Sequence, residues 1–213
     1  KTVAQCIEKM KKSCNIPITV KHRLGIDNLD SDDYLMKFVD SCSIAGADRF
    51  IIHARKAWLN GLNPKENRSI PPLQYERVEK LKNKRPELLI ELNGGINSID
   101  ECIQTLKTFD GAMVGRAAYS YPYIWRKIDS MIYGQKEVYL SRSKIIKKVI
   151  PFAQKHLDND GKLWNIAKHI LNLIENIPNA KLLRQELSEN CQNNKADVSI
   201  LKKIAQQLED AGH

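Results

Sequence analysis

Through about residue 134, the sequence alternates short apolar runs rich in β-formers with longer stretches whose apolar residues recur at helical spacing. The apolar runs lie at residues 17–23, 49–55, 88–92 and 111–114. Short apolar strands separated by amphipathic helices are typical of βα units, in which parallel strands are covered by helices. The pattern therefore predicts an α/β fold with four parallel strands and with sheet edges at residues 18–20 and 112–114.

Helix start and stop signals lie between these runs. Ser31 precedes a stretch whose apolar residues share one face, and Gly46 follows its end. Ser98 and Glu101 have the spacing of a capping box before a further helix. The chain is predicted to begin inside another helix, Thr2–Ser13, as if strands preceded it.

From about residue 141 the strand pattern stops, and apolar residues recur at helical spacing to the end of the chain. Pro151 is expected to kink the first of these helices. We expect a small all-α helical-bundle domain over residues 141–213, after a partial barrel over residues 1–134. A TIM (β/α)8 barrel needs eight strands and typically about 250 residues. The four strands therefore correspond to half of a barrel, and the helix at the chain start favours the C-terminal half.

Composition narrows the class of protein. The 213 residues are 42% hydrophobic, which suffices for a core, but they contain no signal peptide and no membrane-spanning run of apolar residues. We therefore expect a soluble, cytoplasmic protein. The five scattered cysteines have no C-x-x-C spacing, which argues against a metal site or a disulfide framework. A net charge of +9 favours a polyanionic partner such as RNA, although solvated helix faces also give basic compositions.

Polar and basic residues follow the predicted strands. The carboxyl ends of parallel strands meet at one edge of a sheet, where the active sites of such folds lie. The residues at these ends are Lys21, His22, Arg23, His53, Arg55, Lys56, Asn93, Gly94, Gly95, Gly115 and Arg116. The two glycine-containing turns each precede a helix start, which favours a bound phosphate. Any one cation could simply face water, but Lys21 and His53 are expected to converge beside this phosphate site.

No residues show the pattern of a catalytic nucleophile or of metal ligands, so the sequence favours a cofactor that supplies the chemistry. The loop after His53 combines Trp58 with several charged and amide side chains, which are Arg55, Lys56, Lys65, Glu66, Asn67 and Arg68. Basic groups beside an aromatic ring suit RNA phosphates and stacked bases. On composition alone, a solvated surface loop is an equally good interpretation.

Four motifs carry a resemblance to a known family. They are HARKAWL at residues 53–59, PKENR at residues 64–68 followed by IPPL, NGGI at residues 93–96, and VGRA at residues 114–117. Together they resemble the A-type tRNA-dihydrouridine synthases over nearly the whole chain. The resemblance implies a flavoprotein oxidoreductase of tRNA processing. It would use FMN and NADPH to reduce the C5–C6 bond of uridine in the tRNA D-loop, at U20/U20a.

The resemblance also implies roles for particular residues. Lys21 and His53 would contact the flavin ring. The residues that would bind the phosphate and ribityl chain of FMN are Asn93, Gly94, Gly95, Gly115 and Arg116. The helical domain would lie along the tRNA, with Lys181 and Arg184 at its phosphates. The loop residues Glu66, Asn67 and Arg68 would shape how the tRNA docks.

The chain departs from the family at its catalytic cysteine. That cysteine lies in an Asn-x-Gly-Cys-Pro-type segment that is absent here, and neither Cys6 nor Cys14 has its context. The first four barrel strands are also missing, so we expect a fragment, a truncated gene product or one piece of a split protein with an N-terminal half as partner. Such a chain is expected to be inactive alone and to bind FMN weakly. Two alternatives are a non-catalytic RNA-binding remnant and another FMN-barrel oxidoreductase acting on a small molecule.

Overall fold

The computed structural model describes residues 1–213. The chain forms two compact units, Lys1–Gly115 and Arg116–His213. The sequence pattern grouped residues 116–134 with the barrel, but in the structure they group with the second unit. The reason is that this segment packs among helices, since Tyr123 lies against the core of the helical bundle.

The first unit alternates helices and strands. In chain order its elements are α1 (Thr2–Ser13), β1 (Thr19–Arg23), α2 (Asp32–Ile44), β2 (Arg49–His53), a 3-10 turn (Glu66–Arg68), α3 (Tyr75–Lys84), β3 (Ile90–Asn93), α4 (Ile99–Thr105) and β4 (Gly111–Met113). The strands are all parallel and lie in the order β1-β2-β3-β4. The α/β fold, the four parallel strands and the two edge strands are therefore confirmed, with strand ends shifted by one or two residues.

The two faces of the sheet differ because successive side chains of a strand point to opposite sides. One face packs on the helices and forms a core from Ile7, Val20, Leu35, Val39, Phe50, Ile52, Val78, Leu81, Ile90 and Leu92. The alternate strand residues lie on the opposite face, and most of them are polar or charged. Arg49 and Glu91 form an ion pair on that face. The sheet thus has one apolar face and one polar face.

The predicted helix signals act as caps. The Ser31 hydroxyl accepts a hydrogen bond of 3.0 Å from the backbone N–H of Tyr34 at the start of α2. Gly46 follows that helix with a φ of +98°, a conformation that favours glycine. At the start of α4 the Ser98 hydroxyl accepts a bond of 3.1 Å from the N–H of Glu101. These caps fix where the helices begin, and therefore where the loops that carry the polar residues end.

The second unit is helical throughout. Its elements are α5 (Arg116–Ser120), a 3-10 helix (Pro122–Lys127), α6 (Ile128–Tyr133), α7 (Arg142–Asp158), α8 (Trp164–Ile170), a 3-10 turn (Leu171–Leu173), α9 (Ala180–Cys191) and α10 (Ser199–Asp210). Its fully buried large side chains are Ile146, Leu163, Ile174, Leu187, Leu201, Ile204 and Leu208. Pro151 lies inside α7. None of the helices in the chain has both the length and the apolar character needed to cross a membrane.

The core of the second unit can be tested with two leucines. Leu201 on α10 has 0% of its surface exposed, whereas Leu182 on α9 has 65% exposed. Leu201→Ala should lower the free energy of unfolding by about 2–5 kcal/mol, because it removes packed atoms and leaves a cavity. Leu182→Ala should change it by about 0.5 kcal/mol or less. Urea denaturation followed by circular dichroism measures both, and equal effects would contradict this core.

Candidate functional site

Three strands bring polar groups together at their carboxyl ends. The Lys21 ammonium on β1 donates a hydrogen bond of 3.0 Å to Asn93 Oδ1 on β3, across the intervening strand β2. The Asn93 amide nitrogen in turn donates to the Met113 carbonyl on β4 at 2.8 Å. Because both ends of the amide are engaged, the orientation of Asn93 is fixed. Lys21 is therefore held over the middle of this edge of the sheet.

His53 belongs to the same cluster. It ends β2 in register with Arg23 on one side and Asn93 on the other. Its Nε2 would lie 3.4 Å from a Cβ built on Gly94. On the neighbouring strand Lys21 lies in register with Ile51, two residues before His53. The ammonium reaches Asn93 because the lysine side chain is long. Lys21 is thus bonded to the residue that lies in register with His53 on the neighbouring strand.

The turn after β3 requires glycine at two positions. Gly94 and Gly95 have φ values of +113° and +75°, which residues with a side chain rarely adopt. A Cβ would also collide with protein atoms, since it would lie 2.9 Å from Leu73 at Gly94 and 2.6 Å from Leu73 at Gly95. The Tyr75 hydroxyl donates a bond of 2.6 Å to the Gly94 carbonyl. The turn is therefore packed from behind by Leu73 and Tyr75 and has a fixed shape.

Cations are crowded at this end of the sheet. Partial burial, and then the charge of Arg23, lowers the pKa of Lys21 from its ordinary value, although much of the side chain is open to solvent. Burial, and then the charges of Arg55 and Arg68, lowers the pKa of Arg23 as well. Like charges held close together disfavour one another, and a bound anion would offset that repulsion. The electrostatics of the site therefore favour a negatively charged ligand.

His22 lies outside this cluster although it is also near a strand end. Its ring contacts Phe38 edge-on at a centroid distance of 4.9 Å, and Phe50 at 6.3 Å, on the helix side of the sheet. Its Nδ1 is 2.8 Å from the Arg23 carbonyl oxygen. Burial lowers the pKa of His22. This half-buried histidine packs on the helix side of the sheet rather than on its polar face.

The loop after β2 is fixed by its own polar side chains. The Arg23 guanidinium donates to the carbonyls of Lys56 at 3.0 Å and of Asn67 at 2.8 Å. The Asn67 side chain accepts from the N–H of Trp58 at 2.8 Å and donates to its carbonyl at 2.7 Å. Arg55 is buried, and its Nε donates to the Pro71 carbonyl at 2.6 Å. Arg55 and Asn67, predicted as RNA-binding residues, therefore also shape this loop.

The other predicted RNA-binding residues of the loop differ in their surroundings. Lys56 forms an ion pair of 3.2 Å with Asp30. The Glu66 carboxylate accepts a hydrogen bond of 2.8 Å from the N–H of Asn63. Lys65 and Arg68 are exposed on the surface of the loop. Exposed basic side chains thus lie on a loop whose backbone is fixed from within.

The remaining predicted site residues lie after β4. At Gly115 an added Cβ would meet no atom within 4 Å, so the backbone there is open to approach. Arg116 begins α5, the first element of the second unit. Lys181 is exposed near the start of α9, and Arg184 on the same helix forms an ion pair of 3.4 Å with Glu175. The predicted residues are therefore distributed over both units.

The thiols lie away from the strand ends. All five cysteines are free, and Cys42, Cys102 and Cys191 are buried within α2, α4 and α9. The predicted packing role of Cys42 and Cys102 is thereby confirmed, and burial raises the pKa of both thiols. Cys6 lies within α1, and Cys14 directly follows it. No three His, Cys, Asp or Glu side chains are close enough to hold a metal ion.

Two residues that sequence reasoning did not assign contribute to the site. Tyr75 bonds the Gly94 carbonyl from the first turn of α3, and Asp30 pairs with Lys56 from the segment before α2. No local sequence pattern marks either residue, because each acts on a segment distant along the chain. The sequence indicates Arg23 only as a cation at a strand end, and its hydrogen bonds to the loop are seen only in the folded structure.

Comparison with known proteins identifies the family. The sequence pattern of the dihydrouridine synthase (Dus) family matches residues 1–210. A tRNA-dihydrouridine(20/20a) synthase of Shewanella oneidensis is 43% identical over 207 residues, which cover 97% of this chain and 62% of the relative. A protein of the same name from Synechocystis sp. is 48% identical over 187 residues, covering 88% of this chain and 56% of the relative.

A third relative, the tRNA-dihydrouridine(20/20a) synthase of Salmonella typhimurium, is 42% identical over 209 residues, covering 98% of this chain and 63% of the relative. The chain thus spans about three fifths of the length of these relatives. The family match extends over nearly all of both units and includes the HARKAWL and PKENR motifs. This chain belongs to the dihydrouridine synthase family, as its motifs indicated.

Proposed function

We propose that this chain forms part of an FMN-dependent tRNA-dihydrouridine synthase, which uses NADPH to reduce the C5–C6 bond of uridines 20 and 20a in the tRNA D-loop. The observation that carries the proposal is the cluster at the carboxyl ends of β1 to β3. There Lys21 is bonded to Asn93 beside His53 and a fixed diglycine turn. Family membership and the names of the relatives support the same reaction.

The residues present fit a flavin mononucleotide. Lys21 and Arg23 carry charges that repel one another at a partly desolvated edge, so a phosphate or an anionic ring would be stabilised there. Gly94 and Gly95 give the turn a backbone conformation that residues with a side chain rarely adopt, and the N–H groups of such a turn would be donors for a phosphate. Gly115 has open space around it and would extend the same surface. Arg116 would add a guanidinium, which binds phosphate through two parallel hydrogen bonds.

FMN, when bound, would supply the hydride chemistry, with NADPH as the source of electrons. Lys21 would place its positive charge against the pyrimidine side of the ring and stabilise negative charge there. Asn93 would act as a positioning residue, because its amide orients the Lys21 ammonium and is itself fixed by the Met113 carbonyl. His53 would border the ring from the neighbouring strand. The chain's own cysteines lie in or beside helices, so none is assigned as the proton donor.

The topology of the sheet supports a barrel architecture. Four parallel strands follow one another in chain order, and the helices between them pack on one face of the sheet, as in a (β/α)8 barrel. We propose that these strands are half of such a barrel. Four strands cannot close one, so the chain alone would bind FMN weakly and would not reduce tRNA.

Exposed basic side chains would contact the tRNA in each unit, taken separately. Lys65 and Arg68 are exposed on the rigid loop after β2, and Lys181 is exposed on α9. The shape of that loop would be the main contribution of Arg55, Lys56, Glu66 and Asn67. Arg184 is paired with Glu175, which precedes α9, and would contact the tRNA from that position. A tRNA substrate makes the cytoplasm the expected location. The net charge of +9 supports binding to a polyanion.

A second candidate is a non-catalytic RNA-binding protein. It is favoured by the position of the five cysteines, since none lies at the carboxyl end of a strand. Flavin binding discriminates between the two candidates. FMN binding on titration, even if weak, supports the reductase, whereas tRNA binding with no FMN binding at saturating FMN supports the RNA-binding protein.

Lys21 provides the direct test of the flavin site. Lys21→Met removes the ammonium while keeping an unbranched side chain, and should weaken FMN binding by about tenfold, which is the effect of losing one charge-assisted hydrogen bond. Lys84→Met, at the exposed end of α3, is the matched control and should leave the affinity unchanged. Quenching of FMN fluorescence during titration measures both. Equal affinities for the two variants, or no FMN binding by the natural chain, would contradict the flavin site.

Variants at Arg116 and Lys181 distinguish FMN binding from tRNA binding. Arg116→Ala should weaken FMN binding more than tRNA binding, because its guanidinium is assigned to the FMN phosphate. Lys181→Ala should weaken tRNA binding and reduce its dependence on salt by about one phosphate contact, while FMN affinity is unchanged. Filter binding of unmodified tRNA at several salt concentrations and FMN titration give both values. The assignment of Arg116 fails if FMN affinity is unaffected by its loss.

A further inference from the structure

The backbone that carries Trp58 is fixed on both sides. Ala57 donates to the Gly25 carbonyl at 2.9 Å and accepts from the N–H of Asp27 at 2.9 Å. Trp58 is bonded through both its N–H and its carbonyl to the side chain of Asn67. The N–H of Leu59 donates to the Asp27 carboxylate at 2.9 Å. Three consecutive residues are therefore anchored, although they belong to a surface loop.

The indole ring of Trp58 is supported from one side by a cation. The Lys56 ammonium lies 4.0 Å from the centroid of the ring. The same ammonium is paired with the Asp30 carboxylate at 3.2 Å, and 18% and 22% of the two side chains are exposed. A cation over an aromatic face is attractive, and more so when it is partly removed from water. Lys56 therefore holds the ring in one orientation.

Trp58 nevertheless keeps 40% of its surface exposed. A rigid loop with a supported tryptophan has little conformational freedom left to lose on binding. The entropic cost of stacking a second flat group on the ring is therefore low. Lys65 and Arg68 are exposed on the same loop and give it positive charge in addition to Lys56. A flat group attached to a negatively charged backbone matches this combination of aromatic surface and cations.

We propose that Trp58 is a stacking surface for an unpaired nucleobase of RNA, and that Lys56 and Asp30 are positioning residues that orient its ring. The inference deepens the proposed function and rests on it, because the base would belong to the tRNA substrate. Sequence-specific RNA binding generally uses unstacked bases placed on aromatic side chains. Stacking on one aromatic side chain tolerates any base, so Trp58 would contribute affinity and placement rather than sequence choice.

The fluorescence of Trp58 gives a direct readout of stacking. The chain has three tryptophans, and replacing Trp125 and Trp164 by phenylalanine leaves Trp58 as the only one. A single-stranded octauridylate should quench the emission of Trp58 as it binds. Heparin, a polyanion without bases, should bind without quenching it. If the double variant does not fold, the same signal is obtained as the difference between the natural chain and Trp58→Phe.

Binding by variants completes the test. Trp58→Leu should weaken octauridylate binding by about tenfold, as expected for the loss of one stacked base, and leave heparin binding unchanged. Lys56→Met should shift the Trp58 emission of the chain before any ligand is added, whereas Lys65→Met, which removes an equal charge from the same loop, should not.

The outcomes separate this inference from the proposed function. Octauridylate that binds without quenching Trp58, or that binds Trp58→Leu as tightly as the natural chain, contradicts the stacking surface and leaves the tRNA interface standing. Quenching by heparin equal to that by octauridylate also contradicts stacking. A natural chain that binds neither octauridylate nor tRNA contradicts the tRNA interface, and the stacking surface with it.

Discussion

The polar cluster at the strand ends depends on the amide of Asn93, which joins Lys21 on β1 to the Met113 carbonyl on β4. A charged ammonium over a parallel sheet needs polar partners, because such sheets are usually covered by apolar groups on both faces. Asn93 supplies an acceptor for the ammonium and uses its own donor on the neighbouring strand. The site is thus built into the strands themselves, and its loops are arranged around it.

Arg23 connects this site to the loop that is proposed to bind RNA. It ends β1 in register with His53, and its guanidinium holds the carbonyls of Lys56 and Asn67. One cation therefore contributes positive charge at the strand ends and also fixes the loop on which Trp58 is exposed. In the proposed enzyme the flavin and a base of the tRNA must meet, and a shared anchor would hold the two binding surfaces in a constant relation within the first unit.

The sequence could predict the elements and the edge at which polar residues gather, because parallel strands place their carboxyl ends together whatever their exact bounds. It could not predict that Lys21 reaches Asn93 from a register position opposite Ile51, since this depends on side-chain length and on the order of three strands. The sequence could not predict that Asn67 bonds Trp58 or that Asp30 pairs with Lys56, because these contacts depend on how distant segments fold together. The first unit ends at Gly115 rather than at residue 134, because residues 116–134 pack among helices. This packing is a tertiary effect that no local sequence pattern indicates.

The cations at the strand ends are proposed to bind an anionic ligand, and the pKa of Lys21 tests this most directly. NMR titration of the Lys21 side chain, assigned by comparison with Lys21→Met, measures this pKa with and without FMN. Without FMN the pKa should lie below the ordinary lysine value of 10.5, because burial and Arg23 disfavour the charged form. Saturation with FMN should raise it, since a nearby negative charge favours the protonated ammonium. A pKa that FMN leaves unchanged, while FMN is bound, would contradict the account.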